Sequence, residues 1–396
     1  MIIGVPRETY PGERRVAIVP AVVSQLVKIG AEVLIEKDAG LLAGFADTAY
    51  EAQGASIAAD RAAVFSKADL LAQVRGLGAN PEVGRQDLGL MRAGQVVLGF
   101  LDPLGTPEAA RGLAERGATA FALELLPRIS RAQSMDALSA MATVAGYQAV
   151  LRAASTVNKM FPLMMTAAGT ITPAKVLIVG AGVAGLQAIA TAHRLGGVVQ
   201  AYDVRPAVKE QVESLGAKFV ELELETSGAE AASGYAQAMD EEFYRRQREM
   251  MAKVVAECDV VITTAAIPGK KAPVLITGDM VRSMRPGSIV FDLAAEGGGN
   301  CELTQPGETI DVDGVIVVGP VNLPSSIPSD ASQMYARNIT AFLKNLISEG
   351  QVAINTEDQI IRDTLLTYKG EVVNARVREA LGMPGGAGPA AERSTA

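Results

Sequence analysis

The segment Gly180-Ala-Gly182-Val-Ala-Gly185 follows the apolar run Val176 to Val179 and opens the apolar stretch Leu186 to Leu195. Glycines at this spacing between a strand and a helix are suited to holding a pyrophosphate. The helix start offers unpaired N–H groups and partial positive charge, and the missing side chains let a ligand come close. Gly180 allows the tight turn, Gly182 lets the backbone approach the phosphates, and Gly185 lets the helix pack on the strand. Asp203 ends the next apolar run, Val198 to Tyr202. Its carboxylate would accept both ribose hydroxyls and repel a 2′-phosphate, which predicts NAD(H) in preference to NADP(H). Arg205, two residues on, is the group that could instead accommodate a 2′-phosphate.

Two further segments have the composition of a site. Arg128-Ile-Ser-Arg-Ala-Gln133-Ser-Met-Asp136-Ala-Leu-Ser139 gathers polar side chains just ahead of a helical stretch. Arg128 and Asp136 could pair to hold a loop, or could be an ordinary surface pair with Ser134 or Ser139 capping the helix. The stretch Glu221 to Met239 is polar and rich in small residues, with Gly228 and then Gly234-Tyr235 ahead of the charged run Asp240 to Glu257. That is the composition of a lid, or of a surface loop with a solvent-facing tyrosine. Two cysteines, Cys258 and Cys301, and a single histidine, His193, exclude a disulfide framework and a Cys/His zinc site.

These residues need sheets to position them. Ile2 to Val5, Glu32 to Ile35, Asp69 to Val74, Gln95 to Phe100 and Thr119 to Leu123 have strand length, and the amphipathic stretches Ala21 to Ile29 and Pro107 to Arg116 lie between them. A second alternation starts at Lys175 and runs through Val198 to Tyr202, Lys218 to Leu222, Asp259 to Thr264, Ser288 to Leu293 and Val315 to Val318. Between the two, Met135 to Asn158 lacks proline and reads as a long helix, with Ser134 as its N-cap. A helical stretch from Pro328 to about Ser348 is too little for a domain and should pack back on the first one. The expected fold is α/β: two Rossmann-like, doubly wound domains with mostly parallel sheets, linked by a long helix. Residues 1–135 with 328–380 form a discontinuous first domain, residues 136–327 the NAD-binding domain, and 383–396 a disordered tail.

Composition narrows the partners. The 396 residues carry 36 basic and 44 acidic side chains, a net charge of −8, which argues against broad nucleic-acid binding. Aromatics are 4% with no Trp, and the 40 glycines point to small-residue packing of helices on sheets rather than stacking platforms for bases. The opening Met1-Ile-Ile-Gly-Val-Pro-Arg-Glu has no secretory pattern, and Val176 to Ala192 is too short and glycine-rich for a membrane span, so a cytoplasmic chain with no direct membrane insertion is expected.

The Arg128 to Ser139 segment, together with the glycine motif and Thr263-Thr-Ala-Ala-Ile-Pro-Gly-Lys, resembles the NAD(H)-binding domain I of proton-translocating NAD(P) transhydrogenase over nearly the whole chain. The opening Gly4-Val-Pro-Arg-Glu and Arg14-Arg-Val-Ala is also similar to alanine dehydrogenase, a more distant relative. The first resemblance implies a peripheral subunit on the inner face of the bacterial plasma membrane. It would pass hydride between its NAD(H) and NADP(H) on a partner subunit, while a membrane-spanning subunit couples the exchange to protons. It also implies a homodimer, for which the Ala- and Met-rich surface of Met135 to Phe161 could serve. Arg128, Gln133, Asp136 and Ser139 would then lie beside the nicotinamide. Tyr235 would reach the nucleotide from a closing loop, with Gly234 and Gln247 nearby, and Val183, Val204, Arg205 and Ala266 would make lesser contacts.

The alternatives are a soluble amino-acid dehydrogenase and a noncatalytic NAD sensor. The dehydrogenase would need a Lys at the end of the Asp69 to Val74 strand and a His after Gln95 to Phe100. The chain has Val74-Arg75 and Leu101-Asp102-Pro103 there. Arg15 remains from the shared opening, and the favoured reading of it is a buried or interdomain ion pair.

Overall fold

The computed structural model describes residues 1–221, 241–266 and 269–384. Gly234, Tyr235 and the tail from residue 385 lie outside the described residues. The chain divides into two compact units, one formed by residues 1–141 with the segment from Ser325 onward, the other by residues 142–324. The first boundary falls inside the helix Ala137–Thr156.

In the first unit the strand order is Glu371–Val372, Leu365–Tyr368, Thr119–Ala122, Val96–Phe100, Leu70–Arg75, Ile2–Val5, Glu32–Glu36 and Ser56–Ala58. The six N-terminal strands are mutually parallel, and the two C-terminal strands join the edge as an antiparallel hairpin. Parallel strands covered on both faces should be apolar throughout, and Leu70–Arg75 buries all but its last residue. The helix Pro328–Leu346 places Tyr335, Ile339, Phe342, Leu343 and Leu346 on one buried face, which ties the C-terminal segment to this unit.

The second unit orders its strands Lys218–Phe219, Val198–Tyr202, Lys175–Val179, Val260–Thr263, Ile289–Asp292, Val315–Val318 and Thr309–Val312. All pairs are parallel except the last, which is closed by Asp313-Gly314 with φ of 53° and 87°. The strand order reverses at Lys175–Val179, whose neighbours are Val198–Tyr202 on one side and Val260–Thr263 on the other. In an open α/β sheet such a reversal leaves a crevice at the carboxyl ends of the strands, where ligands bind. The stretch Val176 to Ala192 is strand, turn and helix, and no helix among the described residues is long and apolar enough to cross a membrane.

The long helix starts later than its sequence suggests. Ser130–Met135 is a short 3₁₀ helix, and Ala137–Thr156 begins after Asp136, which is the N-cap in place of Ser134. Asp136 Oδ1 accepts the Ser139 N–H at 2.8 Å and its carbonyl accepts the Ala140 N–H at 3.1 Å.

Candidate functional site

The glycine turn sits at the carboxyl end of Lys175–Val179, at the reversal point of the second unit's sheet. Gly180 has φ of +103°, and a Cβ there would lie 2.6 Å from Thr264 Oγ1. At Gly185 a Cβ would meet the Gly180 carbonyl oxygen at 1.8 Å, so the helix packs onto the turn as closely as backbone allows. Gly182 differs from both, having ordinary φ of −76° and nothing within 4 Å of a built Cβ. It caps the helix Val183–Arg194 without a side chain, so the first turn's N–H groups have no side-chain cap from that position. The turn is held from below by Thr264 Oγ1, which donates to the Gly180 carbonyl at 2.9 Å, and by Gly180 N–H, which donates to Tyr202 O at 2.8 Å.

Gly146 of the long helix also touches this turn. A Cβ on it would stand 2.1 Å from the Ala184 carbonyl oxygen. Sequence reasoning gave this glycine no role, because a single glycine in a helix carries no signal of what it packs against. The loop after Val260–Thr263 is fixed by the buried Asn300, whose Oδ1 accepts the Ala265 N–H at 2.9 Å and whose Nδ2 donates to Ala265 O at 2.8 Å. Asn300 is in turn bound through its N–H to Asp292, a fully buried carboxylate that also accepts from Thr263, Ala294, Cys301 and Thr304.

Asp203 follows the strand Val198–Tyr202 and is bound to the turn itself, its Oδ2 accepting the Ala181 N–H at 2.7 Å. Arg205 closes on the same carboxylate. Its Nε donates to Oδ1 and its NH2 to Oδ2, each at 2.9 Å, and its backbone N–H donates to Oδ1 at 2.9 Å. Four hydrogen bonds fill the acceptor capacity of a carboxylate. Ribose hydroxyls can therefore reach Asp203 only as Arg205 gives way, and Arg205 is engaged with Asp203 rather than extended toward a 2′-phosphate.

The remaining expected contacts of this unit divide by exposure. Gly182, Val183 and Ala266 are exposed, Val204 is half-buried, and Gln247 is 1% exposed with its Nε2 donating to the Tyr202 hydroxyl at 2.8 Å. The Gln247 Oε1 is buried without a hydrogen-bond partner among the described residues.

Arg128, Gln133, Asp136 and Ser139 belong to the first unit. Arg128 and Gln133 are exposed, and Ala132 and Met135 anchor the 3₁₀ helix in the core. Asp136 is engaged by Ser139, whose Oγ donates to Oδ2 at 2.6 Å while its N–H bonds Oδ1. Arg131, between Arg128 and Gln133, braces the segment through its pair with Asp358. Its partner lies so far along the chain that no local pattern could have pointed to it.

The first unit's sheet reverses between Ile2–Val5 and Leu70–Arg75, and charged side chains fill that end. Arg15 donates from Nε and NH2 to the two oxygens of Glu13 at 2.7 and 2.6 Å, with both side chains buried. Burial works against the Glu13 carboxylate, but Arg15 outweighs it and holds the carboxyl down at about 2. Arg75 lies 3.4 Å from Glu13 and 4.2 Å over the Tyr10 ring. Glu8 accepts the Val74 and Arg75 N–H groups, and burial pushes its carboxyl up to about 7. The positions where a dehydrogenase would carry Lys and His hold Arg75 and Asp102, the latter with φ of 44° in a tight turn. Among the described residues no group of His, Cys, Asp and Glu could hold a metal ion.

Residues 4–145 match the alanine dehydrogenase/PNT N-terminal domain and residues 149–375 the alanine dehydrogenase/PNT C-terminal domain. The chain is 47% identical over 377 residues to the first of the chains that make up NAD(P) transhydrogenase subunit alpha in Rhodospirillum rubrum, covering 94% of this chain and 98% of that one. Alanine dehydrogenase of Bacillus subtilis is 30% identical over 390 residues, covering 96% and 95%. Among solved structures, transhydrogenase from Sinorhizobium meliloti superimposes with a TM-score of 0.84 at 45% identity, covering 94% of this chain and all of that one. With both domains matched in order across nearly its whole length, the chain belongs to the alanine dehydrogenase/PNT family.

Proposed function

We propose that this chain is the NAD(H)-binding subunit of a proton-translocating transhydrogenase, passing hydride between its own NAD(H) and NADP(H) held by a partner subunit. The observation that carries the reading is the contrast among the three glycines. Two are sealed by backbone or by the Thr264 hydroxyl, while Gly182 stands at a helix start with nothing within 4 Å of a built Cβ, where a pyrophosphate would be received. Bound NAD(H) supplies the hydride, and because no proton moves at the reacting carbons the transfer needs no general acid or base. The protein's contribution is to bind, orient and exclude water. Val183 to Gly185 bind through backbone N–H groups, Asp203 takes the ribose, and Gln133 on its 3₁₀ helix sets the approach, with Arg128, Asp136 and Ser139 around it.

The R. rubrum relative is by name a portion of an alpha subunit, which supports an assembly with further chains. A membrane-spanning partner would supply the attachment to the bacterial inner membrane. A homodimer is supported by the hairpin Met164–Thr166 and Gly169–Ile171, whose six residues are all exposed and include Met165 at 77%. The first unit speaks against amino-acid oxidation, since Arg15 is already taken by Glu13 and neither expected catalytic group is present.

The test is to titrate the chain with NADH and NADPH by nucleotide fluorescence, then add the NADP-binding partner and follow hydride exchange by stopped flow. NADH should bind in preference, alanine should not be oxidised, and exchange should appear only with the partner. Gln133→Asn should keep NADH affinity within about tenfold and slow exchange by more than that. Alanine turnover without a partner, or no exchange with it, would remove the proposal.

A further inference from the structure

Gln133 lies between two anchors supplied by the C-terminal segment of the same unit. Two residues before it, the Arg131 guanidinium forms a forked pair with Asp358. NH2 bonds Oδ1, and NH1 donates to Oδ2 at 3.0 Å and to Asn345 Oδ1 at 3.1 Å. One residue after it, the Ser134 carbonyl accepts from Asn338 Nδ2 at 2.9 Å. Asn345 Nδ2 closes the network on Asp358 Oδ2 at 2.9 Å, and Asp358 Oδ1 also accepts the Ile360 N–H at 2.9 Å.

A six-residue 3₁₀ helix has poor hydrogen-bond geometry and little stability of its own, so its shape is set by what holds it. Ala132 and Met135, three apart and so on one face, seat that face in the core, and the polar anchors hold the exposed side that carries Gln133. A lone exposed ion pair would contribute little, and the Arg131 side chain is 53% exposed. Asp358 is different, being 14% exposed and bonded on both oxygens by groups from three elements. Its hydrogen bonds from Arg131 hold its carboxyl down at about 2, so the clamp is charged at any working pH.

We infer that Arg131, Asp358 and Asn338 are positioning residues that set the angle at which Gln133 is presented, so that the C-terminal segment controls hydride-transfer geometry without touching the nucleotide. The inference rests on the proposed role of Gln133 in transfer. Reacting groups misplaced by a fraction of an ångström lose rate with little loss of binding, and that is the signature expected here.

The full chain is compared with Arg131→Met, Asp358→Asn, the double variant and Gln133→Asn. NADH affinity is measured by fluorescence, transfer by stopped flow with the NADP-binding partner at saturating NADH, and backbone amide exchange across residues 130–136 in the free chain. Asn caps a helix as well as Asp does, so Asp358→Asn keeps the start of Gln359–Thr364 while removing the charge and turning the oxygen that accepts from Arg131 and Asn345 into a donor. Each single variant should slow transfer about tenfold or more, keep NADH affinity within about threefold, and speed amide exchange in the segment. The double variant should be no slower than the worse single, because one interaction is broken once. Unchanged transfer and exchange in both single variants, with Gln133→Asn slow, would overturn the clamp and leave the reading of Gln133 standing. Additive losses would also overturn it. If Gln133→Asn itself transfers at the normal rate, the role of the segment falls and the clamp's role in transfer falls with it.

Discussion

Gly182→Ala and Gly185→Ala make the same chemical change three residues apart and should fail in opposite ways. At Gly182 a methyl group meets nothing within 4 Å and φ is −76°, so the protein should fold with a loss of no more than about 1 kcal/mol, the cost of Ala at a helix N-cap. That methyl would stand in the space a pyrophosphate needs. Displacing one or two charge-assisted hydrogen bonds at roughly 1.5–3 kcal/mol each should weaken NADH by tenfold to several hundredfold or more. At Gly185 the methyl would sit 1.8 Å from the Gly180 carbonyl oxygen, and helix and turn would have to part by more than an ångström. Overpacking of that kind costs about 1–3 kcal/mol or more and should lower the denaturation midpoint as well as affinity. The chain has no tryptophan, so NADH's own fluorescence reports binding without interference, and urea denaturation by circular dichroism reports stability. A Gly182→Ala protein that binds NADH like the wild type would refute the assignment of the phosphate site.

Asp203→Ala should weaken NADH and relax discrimination against NADPH in parallel titrations. Arg205→Gln should do the reverse for NADH, tightening it about three- to tenfold, because ribose hydroxyls no longer displace a forked guanidinium; weaker binding would make Arg205 a nucleotide contact instead of a competitor. Gly146→Ala, which in an isolated helix would stabilise, should lower the urea midpoint by about 1–3 kcal/mol of stability, since its methyl meets the Ala184 carbonyl at 2.1 Å. Burial pushes the Glu124 carboxyl from 4.5 up to about 7, so the folded state holds its proton more tightly and stability falls as pH rises from about 4.5 to 7, by about 3 kcal/mol in all. Glu124→Gln cannot ionise and should gain on the wild type across that window in urea titrations at pH 5 and 8. Glu8, also pushed to about 7 by burial, keeps part of the slope, and parallel profiles for the two proteins would contradict the assignment.

The strands buried on both faces were legible because nothing but a parallel sheet explains short apolar runs separated by helical stretches. Ile2–Val5, Val198–Tyr202 and Val315–Val318 fall on their expected residues. The edges were not legible. Ser56–Ala58 is three residues long, and Thr309–Val312 is an alternating edge strand without an apolar run. The hairpin it forms did carry a local signal, Asp313-Gly314, whose two positive φ values suit a tight turn between antiparallel strands. The glycine motif was legible because backbone sterics fix Gly180 and Gly185, while Gly182 stands in open space. The Asp203 pairing with Arg205 needed coordinates, since residues two apart in a turn can point together or apart. The bracing of the Gln133 segment was out of reach for a different reason. Arg131 and Asp358 are 227 residues apart, and only the return of the C-terminal helix to the first sheet brings them together.

Both sheets reverse strand order, and among the described residues the two reversal points differ in what fills them. In the second unit the reversal point ends in glycines, a Cβ on Gly182 would meet nothing within 4 Å, and the helix that starts there has no side-chain cap. In the first unit the corresponding strand ends are closed from within, Arg15 by Glu13 and the N–H groups of Val74 and Arg75 by Glu8. An internal carboxylate on a buried arginine removes the main attraction a substrate carboxylate would feel. Opening that end would leave a buried charge unpaired at a cost of several kcal/mol. Among the described residues, then, the first unit presents a substrate carboxylate with an arginine already paired to Glu13, which agrees with the proposed reading of one nucleotide held in the second unit. On the proposed reading the second reactant is held by a partner, and an exposed Gln133 on a segment braced from the C-terminal helix is where the two would meet.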